Sequence, residues 1–252
     1  MNVYAIFGIF QKEMARTFRT LIQSLISPVI STALYFVIFG LLSRKMDTIL
    51  GVSIKDFIVP GLIVLTVSTQ SVSNASFGIF FPKLVNTFYQ YLVAPISFLD
   101  LLLGFVGAAA CKSLLIGIVI LLTAIVMVDV QIMYPSLMLL YLILVCICFC
   151  LVGFIIGIWG RSFEQLNFVP LLVLTPLVFL GGCFYSIEML PPTWEFISRL
   201  NPMFYIVDGF RWTFFGISEA SISLSVSVTI GLCIFSLLVI RWMFTTGYRL
   251  KD

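Results

Sequence analysis

The sequence predicts an all-α polytopic membrane protein: six transmembrane helices, an N-terminal amphipathic interface helix, and an external re-entrant helical hairpin between spans five and six. Three observations carry this reading. Hydrophobic residues make up 61% of 252 and charged residues 10%, and mean hydropathy is +1.17, which excludes an ordinary soluble domain. Apolar runs at 21–42, 57–80, 98–128, 136–159, 168–184 and 224–244 each approach or exceed the roughly 20 residues of a helical crossing. The stretch from Phe168 to Arg211 starts as such a run and then stops being one.

That third stretch organises the chain. Gly181-Gly182 loosens the helix, Pro191-Pro192 ends any continuation, and Glu188, Glu195, Arg199, Asp208 and Arg211 follow too densely for a lipid-exposed crossing. Two short helical patterns remain, Thr193 to Leu200 and Met203 to Phe215, separated by Asn201-Pro202. We read 188–215 as a shallow external hairpin that returns to the same face. Backbone broken at membrane depth is tolerated only where protein or water satisfies it, so this segment is expected to line or cap a path.

The chain reads as one transmembrane domain, 1–252, with no room for a soluble catalytic domain. The first 20 residues have their basic groups after the apolar ones, unlike a signal peptide, and are expected to persist. Five cysteines lie in apolar runs and Cys183 at a span end, which argues against a disulfide framework. In the run Cys146, Cys148, Cys150 the middle side chain points away from the other two on a helix, which argues against a metal site. There is no histidine, the commonest proton-switch and metal-ligand residue.

In chain order, 1–20 is amphipathic. Val3, Phe7, Phe10, Met14, Phe18 and Leu21 share one side, while Lys12, Arg16 and Arg19 oppose them, the pattern of a helix lying on the membrane. The first span, 21–42, carries Pro28, and Arg44, Lys45, Asp47, Lys55 and Asp56 form the loop beyond it. The second, 57–80, has Pro60-Gly61 near its start and a polar stripe of Ser68, Thr69, Gln70, Ser71, Ser73 and Asn74. Such groups in lipid need other helices or water, so Ser68, Gln70, Ser71 and Asn74 are pathway candidates.

Between Pro82 and Pro95 the pattern predicts one short helix of about three turns, with Leu84, Phe88, Tyr91 and Leu92 sharing a face. Exposed aromatics on a short connecting helix ask for a protein partner. The third run, 98–128, is 31 residues, about 46 Å of helix and longer than a hydrocarbon core. Lys112 near its middle lies too far along the helix from Asp100 to pair, and is a further pathway candidate. A turn from Asp129 to Pro135 precedes the fourth span, 136–159, whose Gly153 and Gly157 form a small-xxx-small pair suited to close packing. Arg161 to Phe168 is a short polar turn into the fifth span, 168–184; Arg241 and Trp242 mark the interfacial end of the sixth, 224–244.

Six crossings put both termini on one side. That side holds Lys12, Arg16, Arg19, Lys83, Arg161, Arg249 and Lys251, against Arg44, Lys45, Lys55, Arg199 and Arg211 opposite, and the positive bias makes it the cytoplasm.

These residues resemble a known family. The amphipathic first helix, the six spans, the short helix at 82–95 and FLGGCFYSIEMLPPTWEFISRLNPMFYIVDGFR before the last span look like the type 2 ATP-binding cassette (ABC-2) export permeases. The likeness is greatest to the bacterial subgroup of nodulation-factor, polysaccharide and drug exporters. It covers essentially the whole chain and is most specific at Asn201-Pro202 and Asp208 to Arg211, supported by SFEQLNFVP and LVAPIS.

The resemblance implies a homodimer in the bacterial inner membrane, bound by two copies of a separate ATPase. That ATPase would hold ATP and Mg; no cofactor is expected in this chain, which lacks a Gly-x-x-x-x-Gly-Lys-[Ser/Thr] loop and is no enzyme by itself. It implies ATPase coupling through Lys83, Leu84, Phe88, Tyr89, Tyr91 and Leu92, and an ATPase-facing interface helix bearing Lys12, Arg16 and Arg19. A path at the dimer interface, built from spans one, two and five, is capped by the hairpin with Gly181, Gly182, Glu188, Asn201, Pro202, Asp208 and Arg211. The coupling segment departs from its relatives in being aromatic, with Lys83 its only charge. The residues alone leave a rival, a secondary carrier driven by an ion gradient around Lys112.

Overall fold

The structure is a computed structural model that describes residues 2–42, 48–128 and 130–249. Arg44, Lys45, Asp47, Asp129 and Lys251 lie outside the described residues, as do the side chains of Leu21 and Leu92. The protein is all-α: among the described residues there is no strand, only an isolated bridge between Ile49 and Val52. Its helices are α1 (Val3–Leu42), α2 (Ile54–Leu84), α3 (Phe88–Val93), α4 (Phe98–Val128), α5 (Pro135–Trp159), α6 (Phe163–Phe168), α7 (Thr175–Leu180), α8 (Pro192–Leu200), α9 (Pro202–Phe215) and α10 (Ile222–Thr246). Five helical stretches are long and apolar enough to cross a membrane, and a sixth is added if the bent α1 counts as one span.

The interface helix and first span are one helix, bent by 60° between Val3–Thr20 and Ile22–Ile38. The first half uses its apolar side only in part to pack on the protein: Val3, Phe7 and Phe18 stay exposed, while Phe10 and Met14 are half-buried. A third strip, Ile9, Glu13 and Thr17 at successive helical turns, is buried instead. It lies along α4, where an added Cβ at Gly104 would come within 2.8 Å of Ile9. Asp100 fixes the N-terminal end of this pair. Its two carboxylate oxygens accept from the Asn2 amide at 3.1 Å and the Ser97 amide at 3.0 Å, the second bond satisfying a free N–H where α4 starts.

α2 is the central helix, buried from Phe57 to Leu65 without interruption. α5 approaches it closely because Gly153 and Gly157 carry no side chain: an added Cβ would lie 2.5 Å from the Val72 carbonyl oxygen and 2.7 Å from that of Ser76. Of the cysteines on α5, Cys150 turns to α2, donating to the Ser71 carbonyl, and Cys148 turns to α10, donating to the Thr229 carbonyl. The six cysteines are free thiols.

Two connections differ from their expected form. The 82–95 segment is no single three-turn helix: α2 continues through Leu84, Asn86 turns the chain at φ +57°, and α3 holds six residues. Arg161 to Phe168 is no polar turn throughout, because α6 starts at Phe163, capped by the Ser162 hydroxyl accepting from the Gln165 amide. The fifth spanning stretch, Phe163–Leu180, is α6, a π-helical run Val169–Leu174, and α7. Pro170 and Pro176 lie in this stretch, and proline has no N–H for the α-helical ladder. The Pro170 carbonyl is taken up by both the amide and the hydroxyl of Thr175, a five-residue spacing that widens the helix locally.

The hairpin locks onto this bundle through buried polar groups. Gly182, at φ +77°, reverses the chain after α7, and the Cys183 backbone rests on α2 where an added Cβ at Gly61 would be 2.4 Å from the Cys183 oxygen. Asn201 joins α8 to α9. Its amide nitrogen donates to the Leu177 carbonyl at 2.6 Å, and its oxygen accepts from the Met203 amide at 3.0 Å. Pro202 opens α9, where its missing N–H costs nothing. Arg211 is 2% exposed; its guanidinium donates to the Gly182 carbonyl, stacks 3.8 Å above the Phe57 ring and lies 3.7 Å from a Glu219 oxygen. The other Glu219 oxygen accepts from the Ile187 amide at 3.0 Å. Asp208 accepts the amides of Glu219 and Ala220, both at 3.0 Å. Burial holds both the Asp208 and Glu219 carboxyls above the ordinary carboxylate range, against the pull of Arg211. Gly181 is buried in the turn, whereas Glu188 is exposed and outside this network.

Two outcomes follow for thermal unfolding in detergent. Arg211→Met, which strands two buried carboxyls, should cost about 3–5 kcal/mol, and adding Glu219→Gln should restore part of the lost melting midpoint. An unchanged midpoint for the single variant would remove the lock. Gly153→Val should lower the midpoint by about 1–3 kcal/mol of overpacking, while Gly231→Ala, which meets nothing within 4 Å, should leave it within error.

Candidate transport groove and docking end

Asn2, Lys83, Asp100, Trp159 and Arg249 gather at one end of the bundle. Lys83 Nζ donates to the Ile158 carbonyl at 3.0 Å and the Arg249 carbonyl at 2.6 Å, and Arg249 donates to the Trp159 carbonyl. Lys83 thus joins α2, α5 and the chain after α10. Phe88, expected on the exposed face, is instead 3% exposed. Its ring lies 6.2 Å from that of Tyr91, which in turn packs edge-on to Phe105 of α4 at 5.6 Å. The outward face of this segment is Leu84, Val85, Tyr89 and Val93, the last 84% exposed.

Of the basic residues on the first half of α1, Lys12 donates to the Tyr91 hydroxyl at 2.8 Å, and Arg16 pairs with Glu13 at 2.6 Å. Arg19 is exposed. The first half of α1 is therefore tied to α3 as well as to α4, and motion of α3 has a direct lever on it.

The polar stripe of α2 divides among its neighbours, because six residues spread over the seven positions 68–74 of a helix point in all directions. Ser68 and Ser71 are fully buried, Ser68 donating to the Leu65 carbonyl; neither faces a path. The Asn74 amide donates to Ser113 of α4 at 3.2 Å. Gln70 alone of the four α2 candidates faces a groove of about 380 Å³, walled by Ser31 and Tyr35 of α1, Thr66, Thr69 and Ser73 of α2, and Asn167 and Thr175 of the fifth stretch. This groove lies among spans one, two and five, and Pro28, Leu65, Pro170, Leu171 and Phe179 complete its lining. Hydroxyls and amides facing hydrocarbon are costly, so such a wall requires a cover or water. Tyr35, Thr66 and Asn167 were not candidates from sequence. Thr66 stands one helical turn before Gln70, a spacing that marks it in retrospect.

Lys112 does have company. It shares a cavity with Glu13 and Arg16 of α1 and Asn74 of α2. Glu13 sits in the strip of α1 that the amphipathic pattern did not reveal. Among the described residues there is no group of three or more His, Cys, Asp or Glu arranged to hold a metal ion.

Comparison with known proteins agrees with this architecture. A family model described as ABC-2 type transporter matches residues 4–215, from the first half of α1 through the hairpin. The chain is 35% identical over 255 residues to the inner membrane transport permease YadH of Escherichia coli strain K12, covering 100% of both chains. It is 27% identical over 211 residues to nodulation protein J of Rhizobium leguminosarum bv. viciae, covering 82% of this chain and 78% of that one. It is 25% identical over 224 residues to nodulation protein J of Sinorhizobium fredii strain NBRC 101917 / NGR234, covering 87% and 82%. A polytopic helical chain matched over most of its length by this model and over all of it by a transport permease belongs to the ABC-2 type transporter family.

Proposed function

We propose that the protein is the permease subunit of an ATP-binding cassette exporter in a bacterial inner membrane, with both termini in the cytoplasm. Two copies face each other across the groove of spans one, two and five, and two copies of a separate ATPase, which holds ATP and Mg, bind at the end with the termini. The substrate is a glycan, a lipid-linked or a hydrophobic molecule. The groove with hydroxyls and amides of three spans in its wall supports this reading: a second copy facing it would shield those groups from lipid and turn two half-channels into one path.

The energy enters through α3. Leu84, Val85, Tyr89 and Val93 form an apolar face at the termini end, which suits a partner's hydrophobic cleft. Movement of α3 passes to α1 through Lys12 and Tyr91, and to α4 through Tyr91 and Phe105. α1 forms one wall of the groove, so the same lever reaches the path.

Gentle affinity purification with mass spectrometry tests the pairing. A stoichiometric Walker-motif ATPase should accompany the wild type, and Tyr89→Glu with Val93→Glu should cut its yield at least tenfold with the melting midpoint unchanged. Phe88→Ala should instead lower the midpoint, since it opens the core by about 3–5 kcal/mol. Ser31→Cys in a chain lacking its native cysteines should form a crosslinked dimer in membranes; a purely monomeric product would end the two-copy reading. Transport that survives ATP depletion but fails when ion gradients are collapsed would return the carrier centred on Lys112.

A further inference from the structure

Outside the groove, the first half of α1, α2 and α4 enclose a cavity of about 280 Å³ lined by Glu13, Arg16, Asn74, Phe81, Phe105 and Lys112. Its charges do not cancel. Glu13 and Arg16 are paired at 2.6 Å, and the Asn74 amide is engaged with Ser113. Among the described residues Lys112 makes no hydrogen bond or ion pair. The cavity therefore carries one uncompensated positive charge, with the unused guanidinium donors of Arg16 beside it.

Depth narrows the ligand. α4 is 31 residues, and a hydrocarbon core of about 30 Å uses about 20 of them. Counting back from Val128 at the far end puts the boundary on the termini side near Ala108, about one turn from Lys112. The lysine stem reaches that boundary. The bend of α1, after Thr20, follows at the same cavity, since Thr17 and Thr20 also line it. Phe81, which also lines the cavity, is 49% exposed. A site with one net positive charge at headgroup depth, with Phe81 and Phe105 in its wall, matches a singly charged phosphate ester.

We propose that this cavity binds a phosphodiester monoanion, with the Lys112 ammonium as its charge partner and Arg16 as a second donor. Such a group comes with a membrane lipid headgroup or with a soluble phosphodiester. Bound there, it bridges α4 to the first half of α1 and so stiffens the helix that α3 moves.

Native mass spectrometry of the full chain in detergent tests this with dioleoylphosphatidylglycerol and dioleoylglycerol, which share acyl chains and differ in the phosphodiester. Wild type should retain the phospholipid at least tenfold over the neutral lipid. Lys112→Gln should erase most of that preference, and Lys112→Arg should keep it. Glycerophosphoglycerol, the deacylated headgroup, separates the sources: a Lys112-dependent rise in melting midpoint with it means that the headgroup suffices, and no rise means that the acylated lipid is the ligand. Equal retention of the two lipids by the wild type, or a preference untouched in folded Lys112→Gln, overturns the proposal.

Discussion

A guanidinium buried inside a protein has to find its counter-charges within its own chain, and Arg211 does so by gathering four separate segments. Glu219 lies beyond α9, Gly182 belongs to the turn after α7, Phe57 starts α2, and Asp208 stands one turn earlier on α9 while holding the Glu219 amide. None of these contacts is worth much as an exposed pair. Buried together, each carboxyl and carbonyl is needed because its removal strands a charge. Where the helical ladder breaks, side chains take up backbone carbonyls: Arg211 donates to that of Gly182, and Asn201 joins the Gly181 amide on that of Leu177.

The same accounting shapes the groove. Without the side chains that Gly153 and Gly157 lack, α5 seats against the Val72 and Ser76 backbone, and this turns Ser68 and Ser71 inward. The opposite side of α2 is left with Thr66, Thr69, Gln70 and Ser73. The two threonines return their hydroxyl protons to carbonyls four residues back, so this wall stays helical while presenting oxygen atoms outward. A polar face made in this way is compatible with water and with a facing copy, and poorly compatible with lipid. The termini end is arranged on a similar principle: Lys83 donates to the Ile158 carbonyl in the last turn of α5 and to the Arg249 carbonyl beyond α10.

Much of this was legible in the residues. Apolar run lengths announced the long helices, and the glycines and prolines after Leu180 announced the break. Thr193 to Leu200 and Met203 to Phe215 fall within one residue of α8 and α9, because Pro and Asn mark helix starts by their own backbone chemistry. The family likeness rested on the hairpin sequence, and the family match covers it. On the short helix α3 the sequence did not reveal that Phe88 turns inward and Val93 outward, since a six-residue helix has too few turns for periodicity to say which side is inward.

The sequence by itself determined that this chain is helical, membrane-embedded and broken before its last span, because those properties follow from local composition: hydrophobic length, helix propensity and the stopping power of Gly and Pro. Which polar residue meets which was decided only by the tertiary structure. Lys112 and Glu13 lie far apart along the chain, as do Arg211 and Phe57, and nothing in one segment encodes the approach of the other. Those approaches depend on how closely helices pass, which small residues permit and buried charges then enforce.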